Sequence, residues 1–188
     1  MIIYLHGFNS TGSSAKGQLL KDHLPDLPVL TPTYHHDPTT AIAFLEQLVV
    51  KNLQQNQPLM LIGSSLGGYY AQYLAHQYNI KTVLINPALM PLATLHGYLG
   101  ENTNFYTGET YTLTQAHLDA LLTLDVPDPC TESVPTLLLL DKNDEVLDHQ
   151  IAASRYQNCA EVVIFDGGDH QFQHLPESIP RIKEFYTT

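Results

Sequence analysis

The chain has 188 residues and carries 19 acidic against 8 basic side chains, which gives a formal net charge of −11. Its length suits one domain with a substantial core better than two domains. No cluster of lysines and arginines interrupts the acidity, and binding to nucleic acid depends on such clusters because it is driven by counterion release. We therefore predict a single globular domain with no nucleic-acid partner.

Hydropathy and cysteine usage indicate the cellular compartment. The longest apolar runs, such as residues 134–140, are much shorter than the ~20 residues that span a bilayer. The N-terminus shows neither a basic segment nor a small-residue cleavage site. Cys130 and Cys159 lie far apart and outside any C-x-x-C, which favours free thiols in a reducing compartment, with a single disulfide as the alternative. We expect a cytoplasmic protein without a membrane partner.

Short apolar runs alternate with segments of helix length. The predicted strands are residues 2–5, 29–34, 59–62, 82–86, 136–140 and 162–165, of which 29–34 is the poorest. The predicted helices cover residues 39–55, 68–78, about 148–157 and a closing segment from Pro176. These strands are β-branched or leucine-rich without alternation, as expected where helices cover both faces of a sheet. The order predicts an α/β fold with a mostly parallel, doubly wound sheet.

Residues 88–134 interrupt this alternation. The segment is rich in Tyr, Thr, Asn and Gly and has one clear helix pattern, around residues 114–122. It is much longer than an ordinary connection between strands, and long insertions are usually lids or binding loops. We predict a small cap insertion that overhangs the functional site.

The stretch LIGSSLGGYY, residues 61–70, carries the most specific chemical signal. A phosphate-binding loop would need a lysine after the glycines, and a dinucleotide fingerprint would need G-x-G-x-x-G. The pattern that fits is G-x-S-x-G, formed by Gly63, Ser65 and Gly67. Centring it on Ser64 would need glycines at 62 and 66, where isoleucine and leucine stand. A strand before the motif and a helix after it are typical of a nucleophile elbow, so Ser65 is the candidate nucleophile.

A serine hydroxyl needs a base, and the base needs an orienting acid. On such folds the order along the chain is serine, acid, histidine, each after a strand. His170 in DGGDH follows the last strand, whereas His35, His36, His76, His117 and His149 fit surface positions better. Asp144 is the favoured acid because it lies a few residues after strand 136–140, and Asp141 is the alternative.

An oxyanion hole requires two preorganised backbone N–H groups. One is expected from Leu66, directly after the nucleophile. The other is expected from Phe8 in the LHGF turn after the first strand. His6 in that turn fits a structural hydrogen-bonding role better than a catalytic one.

Several longer motifs show a family resemblance: YLHGFNS, GSSLGGYYA, NPA, YLGEN…YTGE, DEVLD and GGDHQF. From the first strand to the last helix, the chain resembles the small YqiA/YcfP-type esterases of the α/β-hydrolase superfamily. The resemblance implies a single-domain α/β-hydrolase fold, a Ser65–Asp144–His170 triad and an oxyanion hole at the HGF turn. It also implies a carboxylic ester as substrate, in a reaction that needs no metal or organic cofactor. The mixed apolar and polar content of residues 88–134 favours a small or medium acyl group in a shallow pocket.

Two rival functions remain open. A metal hydrolase could use His170 and His174, but that spacing aligns two ligands only on a helix, and the flanking glycines and Pro176 favour a loop. A non-catalytic binding module could share the same fold. Within catalysis, thioester or peptide cleavage could use the same residues as ester hydrolysis.

Overall fold

The computed structural model describes residues 1–131 and 134–188. The strands are β1 (Ile2–Leu5), β2 (Val29–Leu30), β3 (Met60–Ser64), β4 (Lys81–Ile85), β5 (Gly100–Thr103), β6 (Thr110–Leu113), β7 (Thr136–Asp141) and β8 (Glu161–Phe165). The helices are α1 (Ala15–His23), α2 (Pro38–Leu53), α3 (Leu66–Tyr78), α4 (Pro91–Leu95), α5 (Gln115–Leu122), α6 (His149–Tyr156) and α7 (Leu175–Thr187), with a short 3-10 helix at His96–Tyr98. Within these residues, no helix combines the length and the apolar character needed to cross a bilayer.

The main sheet has the strand order β2-β1-β3-β4-β7-β8, and each neighbouring pair is parallel. All its strands therefore end at the same edge, where ligands bind in open α/β sheets. β3 lies inside the sheet between β1 and β4, so the loop after it begins near the middle of that edge. The predicted parallel α/β sheet is confirmed.

The strands alternate between two buried clusters, one on each face of the sheet. Ile3 and Leu61 belong to one cluster, which α2, α3, α5 and α6 cover. Ile2 and Met60 belong to the other, which α1 and α7 cover. Helices thus shield both faces, which explains why the strands read as continuous apolar runs instead of alternating ones.

Two elements differ from the sequence prediction. The strand expected at residues 29–34 is reduced to Val29–Leu30, at the edge of the sheet. α1 was not predicted, because only Gly17 and Leu20 of its residues are buried and no apolar stripe marks it. Its local signal is the N-cap, where the Ser14 hydroxyl accepts a hydrogen bond from the N–H of Gly17.

The segment 88–134 carries more regular structure than its sequence suggests. It contains α4, the 3-10 helix, an antiparallel hairpin of β5 and β6, and α5. The hairpin alternates, with Tyr111 and Leu113 buried and Thr110 and Thr112 exposed. α5 lies against the main domain, where Tyr69 donates to the carbonyl of Leu121 over 2.8 Å. Residues 132 and 133, near the end of the segment, lie outside the described residues.

The prediction of free thiols is wrong. Cys130 and Cys159 form a disulfide, with their Cα atoms 5.2 Å apart. The bond joins the loop after α5 to the turn after α6 across 29 positions of sequence. No local pattern signals such a pairing, because it depends on how the insertion returns to the sheet.

Candidate active site

Ser65 has a strained backbone at the turn between β3 and α3. Its φ of 55° and ψ of −122° lie in a region that residues with a side chain rarely adopt, at a cost of roughly 1–3 kcal/mol. The surrounding backbone holds it there: its N–H donates to Ile85, and its carbonyl accepts from Gly68 and Ala88. The strand ends of the sheet therefore fix the direction of the Ser65 side chain.

The motif glycines let this turn form. A Cβ on Gly63 would lie 2.3 Å from the carbonyl oxygen of Gly67 and 2.6 Å from the Cβ of Ala71. The end of β3 and the first turn of α3 are thus too close for any side chain at this position. This contact is the physical reason for the small residue that precedes the serine.

Ser65, His170 and Asp144 form a continuous hydrogen-bonded chain. The Nε2 atom of His170 lies 3.0 Å from the hydroxyl oxygen of Ser65. Its Nδ1 atom lies 3.0 and 2.9 Å from the two carboxylate oxygens of Asp144. An ionised carboxylate only accepts, so Nδ1 carries the proton and Nε2 accepts from the serine. The Asp144 side chain is 1% exposed, which keeps water from competing for this contact.

Asp141, the alternative acid, has different partners. Its carboxylate accepts hydrogen bonds from His174 Nδ1 at 2.6 Å and from the N–H of Gln173 at 2.8 Å. It is fully buried at the end of β7. A Cβ on Gly168, whose φ is +71°, would lie 1.9 Å from its Oδ2 atom. Asp141 therefore anchors the loop that carries His170 and does not contact His170 itself.

Three further side chains hold the His170 loop, and sequence reasoning missed all of them. Asn86 donates to the carbonyl of Asp169 over 3.0 Å, and Glu145 accepts from the N–H of His170 over 3.0 Å. Lys16 donates to the carbonyl of Gln171 over 2.8 Å. Asn86 could have been selected from the sequence, because it is the first residue of the NPA motif. Lys16 could not, because it lies on helix α1, which was not predicted.

The loop after β1 lies directly against Ser65. A Cβ on Gly7 would be 3.2 Å from the Cβ of Ser65 and 3.6 Å from its hydroxyl oxygen. The ring of Phe8 packs edge-on against Tyr98 of the insertion, with centroids 5.3 Å apart. Leu66 is the first residue of α3, where backbone N–H groups have no intrahelical acceptor. Both predicted oxyanion residues thus flank the serine.

His6 lies in the same loop but faces the core. It is 4% exposed, stacks on Tyr34 with ring centroids 4.0 Å apart, and donates from Nδ1 to the carbonyl of Gly7. Burial lowers the pKa of His6 to about 4, so the ring is neutral near pH 7. These contacts fit the structural role predicted for it.

A cleft of about 520 Å³ opens onto Ser65 and His170. Its wall includes Phe8 of the β1 loop and Phe105 and Tyr106 of the insertion. Phe105 is 84% exposed and Tyr106 is 55% exposed, so both side chains present aromatic surface beside the cleft. The insertion therefore reaches the rim of the cleft that contains the serine.

Two groups of histidines are poorly arranged for a metal ion. His170 and His174 lie in the non-helical segment before α7 and pair with different carboxylates. His35, His36 and Glu109 have candidate ligand atoms within 4.8 Å of one another. However, Nδ1 of His35 accepts the N–H of Asp37, so in the neutral ring Nε2 carries the proton and neither nitrogen is free to bind a cation.

Sequence comparison identifies the family. A profile of the group described as "Uncharacterised protein family (UPF0227)" matches residues 1–187. The chain belongs to the UPF0227 family. The UPF0227 protein YcfP of Escherichia coli O9:H4 is 30% identical over 192 aligned positions, which cover 100% of this chain and 99% of the relative. The YcfP protein of Salmonella gallinarum is 31% identical over the same coverage. The predicted family resemblance is confirmed.

Solved structures place this UPF0227 chain in the α/β-hydrolase fold. Est1E from Butyrivibrio proteoclasticus superimposes with a TM-score of 0.78 at 19% identity, covering 99% of this chain and 86% of Est1E. The Paleococcus ferrophilus monoacylglycerol lipase gives 0.72 at 15% identity, covering 98% and 93% of the two chains. The Pyrococcus furiosus esterase gives 0.70 at 17% identity, covering 99% and 80%. The predicted α/β-hydrolase fold is confirmed.

The contact between Gly168 and Asp141 generates a stability prediction. Replacing Gly168 with alanine forces a methyl group against a buried carboxylate oxygen, in addition to the cost of a positive φ. Gly167→Ala is the matched control, because Gly167 also has a positive φ, of +84°, but its Cβ would meet no described atom within 4 Å. We expect Gly168→Ala to lower the free energy of unfolding by at least about 2 kcal/mol more than Gly167→Ala. Urea titration of both variants measures the difference, and equal losses would contradict the anchoring role of Asp141.

Proposed function

We propose that this protein is a serine hydrolase of carboxylic esters that acts through Ser65, His170 and Asp144. One observation carries the proposal: the Ser65 hydroxyl, on a strained turn that opens into a cleft, is hydrogen-bonded to a histidine that a buried carboxylate orients. A nucleophile, a base and an orienting acid in this order are the arrangement that acyl transfer requires. No metal or organic cofactor takes part in the proposed reaction.

In the first half of the reaction, the Ser65 oxygen attacks the acyl carbon and His170 Nε2 takes the serine proton. The charge that develops on the carbonyl oxygen is stabilised by the backbone N–H groups of Phe8 and Leu66. The ester C–O bond then breaks, and the imidazolium returns its proton to the leaving alkoxide. This step gives the free alcohol and an acyl-enzyme, while Asp144 stabilises the positive ring.

In the second half, a water molecule attacks the acyl-enzyme and His170 again accepts a proton. The tetrahedral intermediate collapses, Ser65 leaves with the proton from the imidazolium, and the carboxylic acid is released. His170 thus acts twice as base and twice as acid, which requires a neutral ring with Nε2 unprotonated at the start of each half.

The activities of structurally similar proteins support ester hydrolysis over other acyl transfers. One neighbour is an esterase and another a monoacylglycerol lipase, and Est1E has also been solved with ferulic acid bound, at a TM-score of 0.76 to this chain. The cleft is lined by aromatic side chains suited to an apolar acyl or aryl group. A thioester could react with the same residues, so thioester hydrolysis is the alternative activity to be compared with ester hydrolysis.

The nucleophile can be identified by covalent labelling. We expect a fluorophosphonate probe to modify Ser65, because its hydroxyl is hydrogen-bonded to a base in the cleft. Ser65→Ala should abolish labelling and lower ester turnover by about a millionfold, as when a serine protease loses its nucleophile. Ser64→Ala is the control, because Ser64 is buried next to it in β3. Peptide mapping that finds the probe on Ser64 would sink the proposal.

The two aspartates separate the acid from the loop anchor. Asp144→Asn should lower kcat by roughly ten-thousandfold with the fold intact, because the imidazole loses the carboxylate that orients it and stabilises its charge. Asp141→Asn should reduce kcat far less and act mainly on the free energy of unfolding, since Asp141 contacts His174 instead of His170. Steady-state kinetics with urea unfolding curves for both variants measure this. A reversed order would make Asp141 the acid.

The insertion is expected to favour small or medium acyl groups. Its exposed residues Phe105 and Tyr106 lie at the rim of an open cleft rather than around a long buried tunnel. We expect kcat/KM to be higher for short acyl esters than for long ones, with no appreciable peptidase activity. An ester series from acetyl to palmitoyl, with a thioester series beside it, tests this. A steady rise towards palmitoyl would contradict the shallow site, and a strong thioester preference would change the assignment to thioesterase.

A further inference from the structure

Lys16 is a cationic side chain in the cleft of an acidic protein. It is the second residue of α1 and lines the same cleft as Ser65 and His170. Its ammonium group donates to the carbonyl of Gln171 over 2.8 Å, directly after His170 in the chain. An ammonium has three N–H donors, so this single hydrogen bond leaves donors available to another group.

No described carboxylate forms an ion pair with Lys16. Asp169, Asp141 and Asp144 act on it at longer range, but their oxygens already bind other partners. Asp169 accepts from the side-chain amide of Gln173, while Asp141 and Asp144 are each bound to a histidine. Burial lowers the pKa of Lys16 to about 8, against the opposing effect of those carboxylates. A partly buried ammonium without a paired anion is unfavourable for stability.

The position of Lys16 in its helix does not favour stability either. A positive side chain in the first turn opposes the helix dipole, which prefers negative groups at that end. The same dipole would attract an anion held by Lys16. Ser14 and Ala15, at the start of α1, also line the cleft. Lys16 therefore stands where a bound anion would be favourable and an isolated cation is not.

The other residues of the cleft wall are also compatible with a bound anion. None of the described residues that line it is an aspartate or a glutamate, although the chain has 19 of these residues. An anionic ligand in the cleft would therefore contact no acidic lining residue directly, and the nearest carboxylates, those of Asp169, Asp141 and Asp144, act at longer range and already have partners.

We propose that Lys16 binds a carboxylate carried by the ester substrate, so that the enzyme prefers anionic esters over neutral esters of the same shape. This inference rests on the proposed ester hydrolysis and names its substrate class. The carboxylate can belong to the acyl part or to the alcohol part. The ester pairs below distinguish these two positions.

Two pairs of esters test the charge preference and separate the two parts of the substrate. In the first pair, para-nitrophenyl hemiglutarate and para-nitrophenyl valerate differ by a carboxylate on the acyl chain. In the second, phenyl butyrates with a meta-carboxylate or a meta-carboxamide differ by a charge on the leaving group. The measured quantity is the ratio of kcat/KM for the anionic ester to that for its neutral partner.

We expect Lys16→Met to lower this ratio by about tenfold or more in at least one pair, a change of roughly 1.4 kcal/mol in transition-state binding. Lys16→Arg should retain the preference because it keeps the charge. Lys21→Met is the matched control, since Lys21 is exposed on the same helix and the variant has the same net charge. Lys16→Gln replaces Lys16→Met if circular dichroism shows that the latter does not fold.

A purely positioning role for Lys16 gives a different result. If Lys16 only holds the His170 loop, or only balances Asp169, Asp141 and Asp144, its loss changes kcat for both members of a pair alike. An unchanged ratio in both pairs would overturn the inference and leave the proposed ester hydrolysis standing. Absence of Ser65-dependent hydrolysis of all these esters would instead overturn the proposed function, and with it the inference.

The pH dependence gives a second readout. The ammonium form is present below a pKa of about 8 and is lost above it, so the wild-type ratio should fall as pH rises through 8. An ionisation that inactivates the enzyme lowers kcat/KM for both esters of a pair and cancels in the ratio. In Lys16→Arg the guanidinium stays charged, and the fall should disappear. A fall in the ratio that persists unchanged in Lys16→Arg would contradict binding of the carboxylate by Lys16.

Discussion

The site depends on one local constraint, the strained backbone of Ser65 at the end of β3. A positive φ on a residue with a side chain is unfavourable, so this conformation persists only because the neighbouring backbone fixes it. The N–H of Ser65 is bound by Ile85 at the end of β4, and its carbonyl is bound by residues of the following helix and of the next loop. The parallel sheet thus supplies the free energy that directs the hydroxyl towards His170.

His170 is positioned by other contacts than those that fix Ser65. His170 lies in a loop that has no regular structure, so its position depends on polar anchors instead of strand pairing. Asp141 is the main anchor: it is buried and binds the backbone of Gln173 and the ring of His174. The site therefore contains two histidine–aspartate pairs, of which only that of His170 reaches the serine. The Asp141–His174 pair anchors the loop, and the Asp144–His170 pair is the one that contacts the serine.

Short local patterns in the sequence were enough to select residues that the structure brings together. The G-x-S-x-G frame selected Ser65 over Ser64, and the order of elements led to Asp144 and His170. The His170 ring lies within hydrogen-bond distance of both Ser65 and Asp144. The parallel sheet followed from apolar runs that need cover on both faces. These features depend on residues close together in the sequence, or on the general rule that strand ends share one edge.

Features that depend on distant residues were missed. The disulfide joins two loops that meet only after the insertion has folded back, and the hairpin of β5 and β6 is too short and polar to show a strand pattern. α1 escaped notice because its surface is mostly polar, and Lys16 was missed with it. The position of Lys16 in the cleft depends on its packing beside the His170 loop, which no spacing rule can indicate.

The charge of the whole protein is consequently a poor guide to the charge of its ligand. A net charge of −11 would suggest weak binding of anions, yet none of the described residues that line the cleft is an aspartate or a glutamate. At physiological ionic strength, exposed charges are largely screened beyond about 8 Å, whereas partly buried groups are screened much less. Lys16 lines the same cleft as Ser65, so in the proposed reaction its charge acts on the ester at short range, while the exposed acidic surface acts mainly during approach. The proposed selectivity for anionic esters therefore depends on the charges beside Ser65, where the described lining residues include one lysine and no aspartate or glutamate.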